Sequence, residues 1–221
     1  MNVLVMGNGG SVINNEFGEI IDSKFDVIFR MNRFKTKGFE EYVGTKTDGW
    51  VITDNLVKWV IDEEEGVEGS NNWKEYKDVY ISIPSFKYEH EYVRISNEIR
   101  VNGLPHNVQV LPKIIGDVAT EKCNLSEGYW PTLGMAFLYS LILHKDIDEV
   151  YIHGFDGKSK KYKYLHYYDV GNVDWETNSY YDRMEKKAEE TPWSKVHDDD
   201  TEYQHILTLI EDGTIKKLSE V

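Results

Sequence analysis

The hydrophobic positions of the chain fall into short β-prone runs that are separated by polar turns. The first run, residues 2–6 (NVLVM), is followed at once by a glycine-rich turn at residues 7–11 (GNGGS). A strand that ends in such a turn is the usual beginning of an α/β nucleotide-binding sheet. Five further runs predict strands at residues 26–29, 49–53, 78–83, 108–111 and 149–153.

Helical patterns lie between several of these runs. Apolar residues at helical spacing predict a helix over residues 88–100, and residues 133–144 are apolar almost all round, which is typical of a buried helix. Residues 198–211 predict a final amphipathic helix, with acidic residues in its first turn where the helix dipole favours them. The sequence therefore predicts an α/β fold, a Rossmann-like nucleotide-binding domain whose mostly parallel, twisted sheet is flanked by helices.

The domain organisation follows from what the sequence does not contain. No internal repeat and no Pro/Gly/Ser linker divides the 221 residues, so we expect one domain over residues 1–221. The acidic stretch at residues 62–72, rich in Gly, Ser and Asn, predicts an exposed loop. Residues 170–193 are mostly polar and aromatic, and we expect a flexible lid over the ligand site there.

Composition and charge exclude several classes of function. The chain carries 25 Lys+Arg against 39 Asp+Glu, a net charge of −14, so general binding to nucleic acid or to an anionic membrane is disfavoured. Its single cysteine cannot form an internal disulfide. The longest apolar run, residues 135–143, is about half of a bilayer span, and residues 1–7 lack the features of a signal peptide. We therefore expect a cytoplasmic protein without a transmembrane segment.

The glycine-rich turn is a weak indicator of chemistry when it is taken alone. It either lets the backbone approach a phosphate or ribose, or it is only a tight turn that needs positive φ. An NAD-dependent oxidoreductase is disfavoured because there is no GxGxxG, and because Arg30 and Asn32 stand where the second strand should end in an acid. No His/Cys/Asp constellation has the spacing of metal ligands, and residues 198–200 (DDD) are better explained as a helix start.

Four ordered segments carry a more specific signal. The first couples residues 7–10 (GNGG) to 21–23 (IDS), 29–32 (FRMN) and 38–48 (GFEEYVGTKTD). The second joins residues 129–134 (YWPTLG) to 148–155 (DEVYIHGF), the third is 166–169 (HYYD), and the fourth is 196–202 (VHDDDTE). In order and spacing they resemble the large, small, third and very short sialylmotifs of the sialyltransferases of glycosyltransferase family 29.

The resemblance implies a reaction and a set of site residues. It implies transfer of sialic acid from CMP-sialic acid to a glycan hydroxyl, with inversion and without a metal or other cofactor. By motif match His197 is the general base with Glu202 in support, and His166 stabilises the leaving phosphate. The positions that match the family's CMP-binding residues are Asn8, Gly9, Asn32, Trp130, Thr132, Leu133, Gly134 and Asp156.

The motif histidines also have a purely structural interpretation. His197 could cap a helix or lie at the surface, and His166 could pack in an aromatic cluster. For Arg30 and Lys46 we favour a structural role, in ion pairs with Glu40 or Asp22. We expect core or surface positions for the remaining histidines, which are His90, His106, His144, His153 and His205. The aromatic residues of 162–168 and 175–193 either form a platform for the acceptor sugar or pack in the ordinary way.

The chain departs from the family pattern at several positions. Gly9 replaces a Ser, Thr132 and Leu133 replace a Ser-Thr pair, and Asp156 replaces a Gly. The family's usual disulfide and membrane anchor have no counterpart in the sequence, which favours a soluble enzyme of a bacterial or viral type. Two alternatives stay open: a transferase for another CMP-ulosonic acid such as CMP-Kdo, and a non-catalytic nucleotide- or glycan-binding protein of the same fold. Retention of both motif histidines favours an enzyme.

Overall fold

The computed structural model describes residues 1–57, 68–105, 107–157, 164, 166–169 and 197–221. Its strands are β1 (Asn2–Met6), β2 (Val27–Met31), β3 (Gly49–Thr53), β4 (Asp78–Ser82), β5 (Val108–Val110), β6 (Glu149–His153) and β7 (Lys216–Lys217). They form one sheet in the order β5-β4-β3-β2-β1-β6-β7, and every neighbouring pair is parallel. The predicted α/β fold around a parallel sheet is confirmed.

The order of the strands determines where a ligand site can form. The chain begins in the interior strand β1, adds β2 to β5 on one side, and then returns to place β6 on the other side. Val3 of β1 is therefore in register with Val27 on one side and with Val150 on the other. In open α/β sheets, ligands bind at the carboxyl ends of the strands where the order reverses. This switch point lies between β1 and β6.

Helices cover both faces of the sheet. They are α1 (Gly18–Lys24), α2 (Glu40–Val43), α3 (Glu68–Asn72), α4 (Tyr88–Val101), α5 (Lys113–Lys122), α6 (Leu133–Ile142) and α7 (Asp199–Glu211). The three predicted helices are α4, α6 and α7, with ends within two residues of the prediction, whereas α1 and α5 were not predicted. No helix in the described ranges is long and apolar enough to cross a membrane.

The hydrophobic residues of β1 contribute to the core on both faces of the sheet, because successive side chains of a strand point to opposite faces. Val3 and Val5 pack on the face that α6 and α7 cover, and Leu4 and Met6 pack on the opposite face. Helix α6 confirms its predicted burial, since seven of its ten residues are buried. It is therefore a rigid support for the loop that precedes it, at the carboxyl edge of the sheet.

The predicted exposed loop at residues 62–72 is wrong where the structure describes it. Residues 68–72 form α3, and the Glu68 carboxylate accepts hydrogen bonds from the backbone N–H and the hydroxyl of Thr36. Gly69 lies so close to Trp50 that a Cβ would come within 2.5 Å of the ring. The polar composition of this segment therefore gave no sign of the helix, which is held by the Glu68 carboxylate and by the close contact of Gly69 with Trp50. Residues 62–67 and the predicted lid at 170–193 lie outside the described residues.

The Arg30 side chain stabilises the loop that follows α2 through hydrogen bonds. The side chain is 1% exposed; its Nε donates to Thr47 Oγ1 at 2.8 Å, and its Nη2 donates to the carbonyls of Val43 at 2.7 Å and Lys46 at 2.9 Å. Burial lowers the pKa of Arg30, and the surrounding oxygens compensate for the loss of water. Its role is structural, as expected, although its partners are a hydroxyl and carbonyls rather than a carboxylate.

The predicted ion pairs of the same loop also differ in detail. The Asp22 carboxylate accepts from the backbone N–H groups of Thr45 and Lys46, each at 2.9 Å. Lys46 Nζ donates to the Phe25 carbonyl at 2.6 Å and lies 3.5 Å from the Asp48 carboxylate. Backbone groups, which motif spacing does not reveal, are thus the main partners here.

Arg30→Met should destabilise the protein by about 3 kcal/mol, because it removes charge-assisted hydrogen bonds and leaves buried carbonyl oxygens without donors. Urea unfolding of the variant measures this cost. The exposed Arg33 supplies the control, since Arg33→Met should change the free energy of unfolding by less than about 0.5 kcal/mol. Equal unfolding midpoints for the two variants would contradict the structural role of Arg30.

Candidate active site

A cavity of about 360 Å³ lies at the carboxyl ends of β1, β2 and β6, at the switch point of the sheet. Its walls come from the turn after β1, the start of α6, the loop after β6 and the first turns of α7. The structure brings ten of the predicted site residues into this one cavity: Asn8, Gly9, Asn32, Thr132, Leu133, Gly134, Asp156, His166, His197 and Glu202. Trp130, also predicted to bind the donor, lies outside it.

The glycine-rich turn packs backbone against backbone on the end of β6 and the loop that follows it. The N–H of Gly7 donates to the His153 carbonyl at 2.8 Å, and the N–H of Gly9 donates to the Gly154 carbonyl at 2.9 Å. A Cβ on Gly7 would lie 2.4 Å from that Gly154 oxygen. Gly9 has a φ of −61°, so positive φ does not explain the glycine there. Close approach of two chain segments requires these glycines.

Two of the departures from the family pattern compensate for each other in space. The Asp156 carboxylate accepts hydrogen bonds from the backbone N–H of Ser11 at 2.7 Å and from its hydroxyl at 2.5 Å. A Cβ on Gly9 would lie 2.3 Å from Asp156 Oδ2. The side chain that is missing at Gly9 therefore leaves the room that the Asp156 carboxylate occupies.

The two motif asparagines stabilise the edge of the cavity. Asn8 Nδ2 donates to the carbonyls of Met31 and Arg33, both at 2.9 Å, which ties the end of β1 to the end of β2. Asn32 has a φ of +46°, and its Oδ1 accepts from the Thr53 N–H at 3.2 Å. Each side chain keeps one amide atom outside these hydrogen bonds, Oδ1 of Asn8 and Nδ2 of Asn32, which is available to a ligand.

His197 is oriented by a backbone carbonyl. Its Nδ1 lies 2.9 Å from the carbonyl oxygen of Trp130. A carbonyl only accepts, so the proton of the neutral ring is on Nδ1 and the lone pair is on Nε2. The capping alternative is wrong, because Asp198 is the N-cap of α7 and its side chain accepts from the Thr201 N–H. The ring thus has the tautomer that a general base needs.

His166 has a carboxylate partner instead. Its Nδ1 lies 2.7 Å from Asp169 Oδ2, and its ring stacks on Tyr168 at 5.2 Å. Because a carboxylate accepts a hydrogen bond from Nδ1–H, a ring that carries a proton on both nitrogens can also donate from Nε2 to an anion. The sequence interpretation did not assign Asp169, although its spacing of three residues from the histidine was the available signal.

The third motif is attached to the glycine-rich turn. His166 forms a backbone bridge with Gly9, and the N–H of Tyr167 donates to the Asn8 carbonyl at 3.0 Å. Tyr167 is 1% exposed; its hydroxyl accepts from the Lys35 N–H at 2.9 Å and donates to the Lys35 carbonyl, and burial raises its pKa to about 12. This buried phenol holds the His166 segment against the cavity.

Glu202 positions the start of α6. The carboxylate is 3% exposed and accepts from the Thr132 N–H at 2.9 Å and from the Thr132 hydroxyl at 2.6 Å. Thr132 is the N-cap of α6, and its Oγ1 accepts from the Met135 N–H at 3.3 Å. These hydrogen bonds of Glu202 hold the start of α6 at the edge of the cavity, whereas its predicted support of His197 stays a prediction.

The histidines outside the motifs have the structural positions that we expected, where the structure describes them. Burial lowers the pKa of His153 to about 4, and the ring packs edge-on against Phe17. His205 Nε2 lies 2.6 Å from the Tyr139 hydroxyl. His90 and His144 are exposed, and His106 is outside the described residues. Among the described residues, no cluster of three His, Cys, Asp or Glu side chains could hold a metal ion.

A second cavity of about 220 Å³ lies on the other side of the α6 N-terminus. It shares Thr53, Leu133 and His197 with the first cavity and is also lined by Trp130, whose indole Nε1 is buried without a hydrogen-bond partner among the described residues. The Trp130 ring stacks on Phe86, which is 58% exposed, with ring centroids 4.0 Å apart. Sequence reasoning missed this cavity because it placed the acceptor aromatics after residue 161.

The doubly wound sheet and the cavity at its switch point define an α/β protein of the nucleotide-binding class. The profile of glycosyltransferase family 29 (sialyltransferase) matches residues 3–214, and the chain belongs to this family. The fold is similar to the crystal structure of a mammalian sialyltransferase, with a TM-score of 0.62, 21% identity and coverage of 98% of this chain and 68% of that chain. A mammalian sialyltransferase in complex with Gal-β-1,3-GalNAc-ortho-nitrophenol gives a TM-score of 0.61 at 22% identity, with the same coverage.

Two named sialyltransferases align over nearly the whole chain, and a third relative aligns over a quarter of it. CMP-N-acetylneuraminate-β-galactosamide-α-2,3-sialyltransferase 1 of Gallus gallus is 26% identical over 213 residues, which are 96% of this chain and 56% of that protein. The Homo sapiens protein of the same name gives the same values. The β-1,6-galactosyltransferase GALT29A of Arabidopsis thaliana is 40% identical over 53 residues, 24% of this chain and 13% of that protein. The chain spans about half the length of the sialyltransferases that it matches.

Gly9→Ala should destabilise the protein by about 2 kcal/mol, because the new methyl group overlaps both the Asp156 carboxylate and the Gly154 carbonyl. In an Asp156→Gly background the cost should fall by about 1 kcal/mol, since one of the two overlaps is gone. Urea unfolding of the wild type, both single variants and the double variant measures the coupling. Equal costs of Gly9→Ala in the two backgrounds would show that the two positions do not compensate for each other.

Proposed function

We propose that the protein transfers sialic acid from CMP-sialic acid to a glycan hydroxyl, by direct displacement with inversion and without a metal ion. The observation that carries this proposal is the position of His197. Its ring lies between two adjoining cavities, one of which contains the family's donor-binding motifs, and the Trp130 carbonyl leaves the ring's lone pair on Nε2. Such a base can act on an acceptor that enters from the second cavity while the donor occupies the first.

In the proposed step, Nε2 of His197 takes the proton of the acceptor hydroxyl as its oxygen attacks the anomeric carbon. The bond between that oxygen and the anomeric carbon forms on one face, and the bond from the carbon to the phosphate oxygen of CMP breaks on the other. Histidine suits this role because its ordinary pKa lies near neutrality. The Nδ1–H bond to the Trp130 carbonyl keeps the ring oriented through the proton transfer.

The leaving CMP gains negative charge on its phosphate as the bond breaks. His166, which is paired through Nδ1 with the Asp169 carboxylate, can donate from Nε2 to that phosphate. The first N–H groups of α6, held by the contact of Thr132 with Glu202, are further donors at the same cavity. Both features stabilise charge that develops in the transition state, which is the property that accelerates a displacement.

The names of the relatives support the choice of donor and acceptor. The Gallus gallus and Homo sapiens relatives are named for a CMP-N-acetylneuraminate donor and a β-galactosamide acceptor, and one structural neighbour contains a galactose-terminated ligand. We therefore propose a galactose-type acceptor. The aromatic pair of Trp130 and Phe86 beside the second cavity supports this proposal, since aromatic faces stack on the apolar faces of sugars.

A second candidate function is transfer from another CMP-ulosonic acid, such as CMP-Kdo. It is favoured by the changes in the donor cavity, where Leu133 lacks a hydroxyl and Asp156 adds a charge. Over 53 residues the chain is also similar to a protein that is named as a galactosyltransferase. This similarity supports the interpretation that the family's motifs alone do not determine which sugar is transferred. A non-catalytic binding protein is disfavoured because both histidines keep oriented ring nitrogens at the cavity.

His197→Ala should lower acceptor-dependent CMP release from CMP-Neu5Ac at least about 100-fold, because the general base is lost. Affinity for CMP should stay within about threefold of the wild type. CMP release with a panel of galactosides and calorimetric CMP binding measure the two effects, and the exposed His90→Ala is the matched control. Activity within a few-fold of the wild type would remove His197 from the mechanism. If CMP binds and no CMP is released from CMP-Neu5Ac or CMP-Kdo, the binding-protein interpretation is favoured.

Treatment with EDTA should leave the transfer rate unchanged within about twofold, because the proposed charge stabilisation uses His166 and backbone N–H groups. The measurement compares initial rates of CMP release with EDTA, with added Mg²⁺ and with neither. Loss of activity in EDTA that Mg²⁺ restores would contradict the metal-independent mechanism.

A further inference from the structure

The Asp156 carboxylate places a hydrogen-bond acceptor in the wall of the proposed donor cavity. It lies against the glycine-rich turn, where a Cβ on Gly9 would meet its Oδ2 at 2.3 Å, and the backbone and hydroxyl of Ser11 hold it at 2.7 and 2.5 Å. A carboxylate oxygen has two lone pairs, so an oxygen that accepts from Ser11 can also accept from a ligand. The two hydrogen bonds fix the carboxylate beside the ligand space.

The chemistry of this group restricts which part of a nucleotide can bind it. An ionised carboxylate only accepts hydrogen bonds, so it binds the hydroxyl groups of a nucleotide and not the oxygens of an ionised phosphate, which also only accept. His166, the residue suited to a phosphate, is joined to Gly9 by a backbone bridge and therefore lies near the same turn. In a nucleoside 5′-phosphate the ribose directly neighbours the phosphate. A phosphate at His166 would thus bring the ribose close to Asp156.

Other doubly wound sheets bind ribose hydroxyls with an acid that follows the second strand. In this chain β2 ends at Met31, which lies between the buried Arg30 and Asn32, so that position lacks a carboxylate. The acid comes instead from the loop after β6, the other neighbour of β1 at the switch point. The same kind of group thus reaches the cavity from the opposite side of the first strand.

We propose that Asp156 accepts a hydrogen bond from the ribose diol of the donor nucleotide and makes the site selective for ribonucleotides over deoxyribonucleotides. This inference rests on the proposed function for the identity of the nucleotide as CMP. It assigns a specificity-determining role to the pair of Gly9 and Asp156, since the glycine provides the room and the carboxylate provides the acceptor.

Calorimetric binding of CMP, 2′-deoxy-CMP, 3′-deoxy-CMP and UMP tests the proposal without any turnover. The wild type should bind CMP at least about tenfold more tightly than one of the deoxy analogues, as expected for loss of a hydrogen bond to a charged group. In Asp156→Asn this preference should fall to within about threefold. Asp199→Asn, which removes a different carboxylate from the same cavity, should keep the wild-type preference and is the matched control.

Each variant is compared with itself across ligands, so a partial loss of folded protein does not change the ratio. If Asp156→Asn does not fold, Ser11→Ala, which removes one of the two hydrogen bonds to the carboxylate, should reduce the preference at least about twofold. An unchanged preference in the tested variant, a preference absent from the wild type, or a change confined to the ratio of CMP to UMP would overturn the proposal.

The same data separate this inference from the proposed function. Ribose selectivity that depends on Asp156 in a protein without transferase activity would support the inference and contradict the proposed function. Transferase activity without that selectivity would overturn the inference alone. Failure to bind any of the four nucleotides would overturn both.

Discussion

The close backbone contact between the glycine-rich turn and the loop after β6 is the constraint on which the rest of the site depends. Two N–H groups of the turn donate to the carbonyls of His153, the last residue of β6, and of Gly154 in the loop, and no side chain fits between the two segments. Because the two segments meet at the switch point of the sheet, their main-chain atoms form a part of the cavity wall whose shape does not depend on side-chain conformation. The same contact determines where Asp156 lies, and the backbone bridge of Gly9 to His166 attaches the third motif to it.

The two cavity histidines are both oriented through Nδ1, yet their partners differ in charge, and this difference separates their chemistry. His197 bonds to a neutral carbonyl, which places the proton of the neutral ring on Nδ1 and the lone pair on Nε2. His166 bonds to a carboxylate, which accepts from Nδ1–H and leaves Nε2 as the donor of a doubly protonated ring. One ring is therefore suited to accept a proton and the other to donate to an anion, although the two residue types are identical.

Local sequence patterns predicted most strands of the sheet and failed for the elements that form only through tertiary contacts. Strands β1, β2, β3 and β6 are buried on both faces over most of their length, and the resulting mostly apolar runs made them recognisable in the sequence. Strand β7 consists of Lys216 and Lys217, whose side chains carry no strand signal, and it forms only because β6 offers an open edge. Helix α3 was also not predicted, because it has no apolar face in the sequence. It is held instead by the contacts of Glu68 with Thr36 and of Gly69 with Trp50.

The sequence by itself determined the fold class, the family and the identity of most cavity residues, because the residue types that carry chemistry occur there at recognisable spacings. Only the tertiary structure decided what each residue contacts. Asp156 meets Ser11 across 145 positions, and Glu202 meets Thr132 across 70. It also decided that Trp130 lines a second cavity and that Gly9 and Asp156 compensate for each other. Such contacts depend on the packing of distant segments, and spacing along the chain does not encode the distance between two side chains in space.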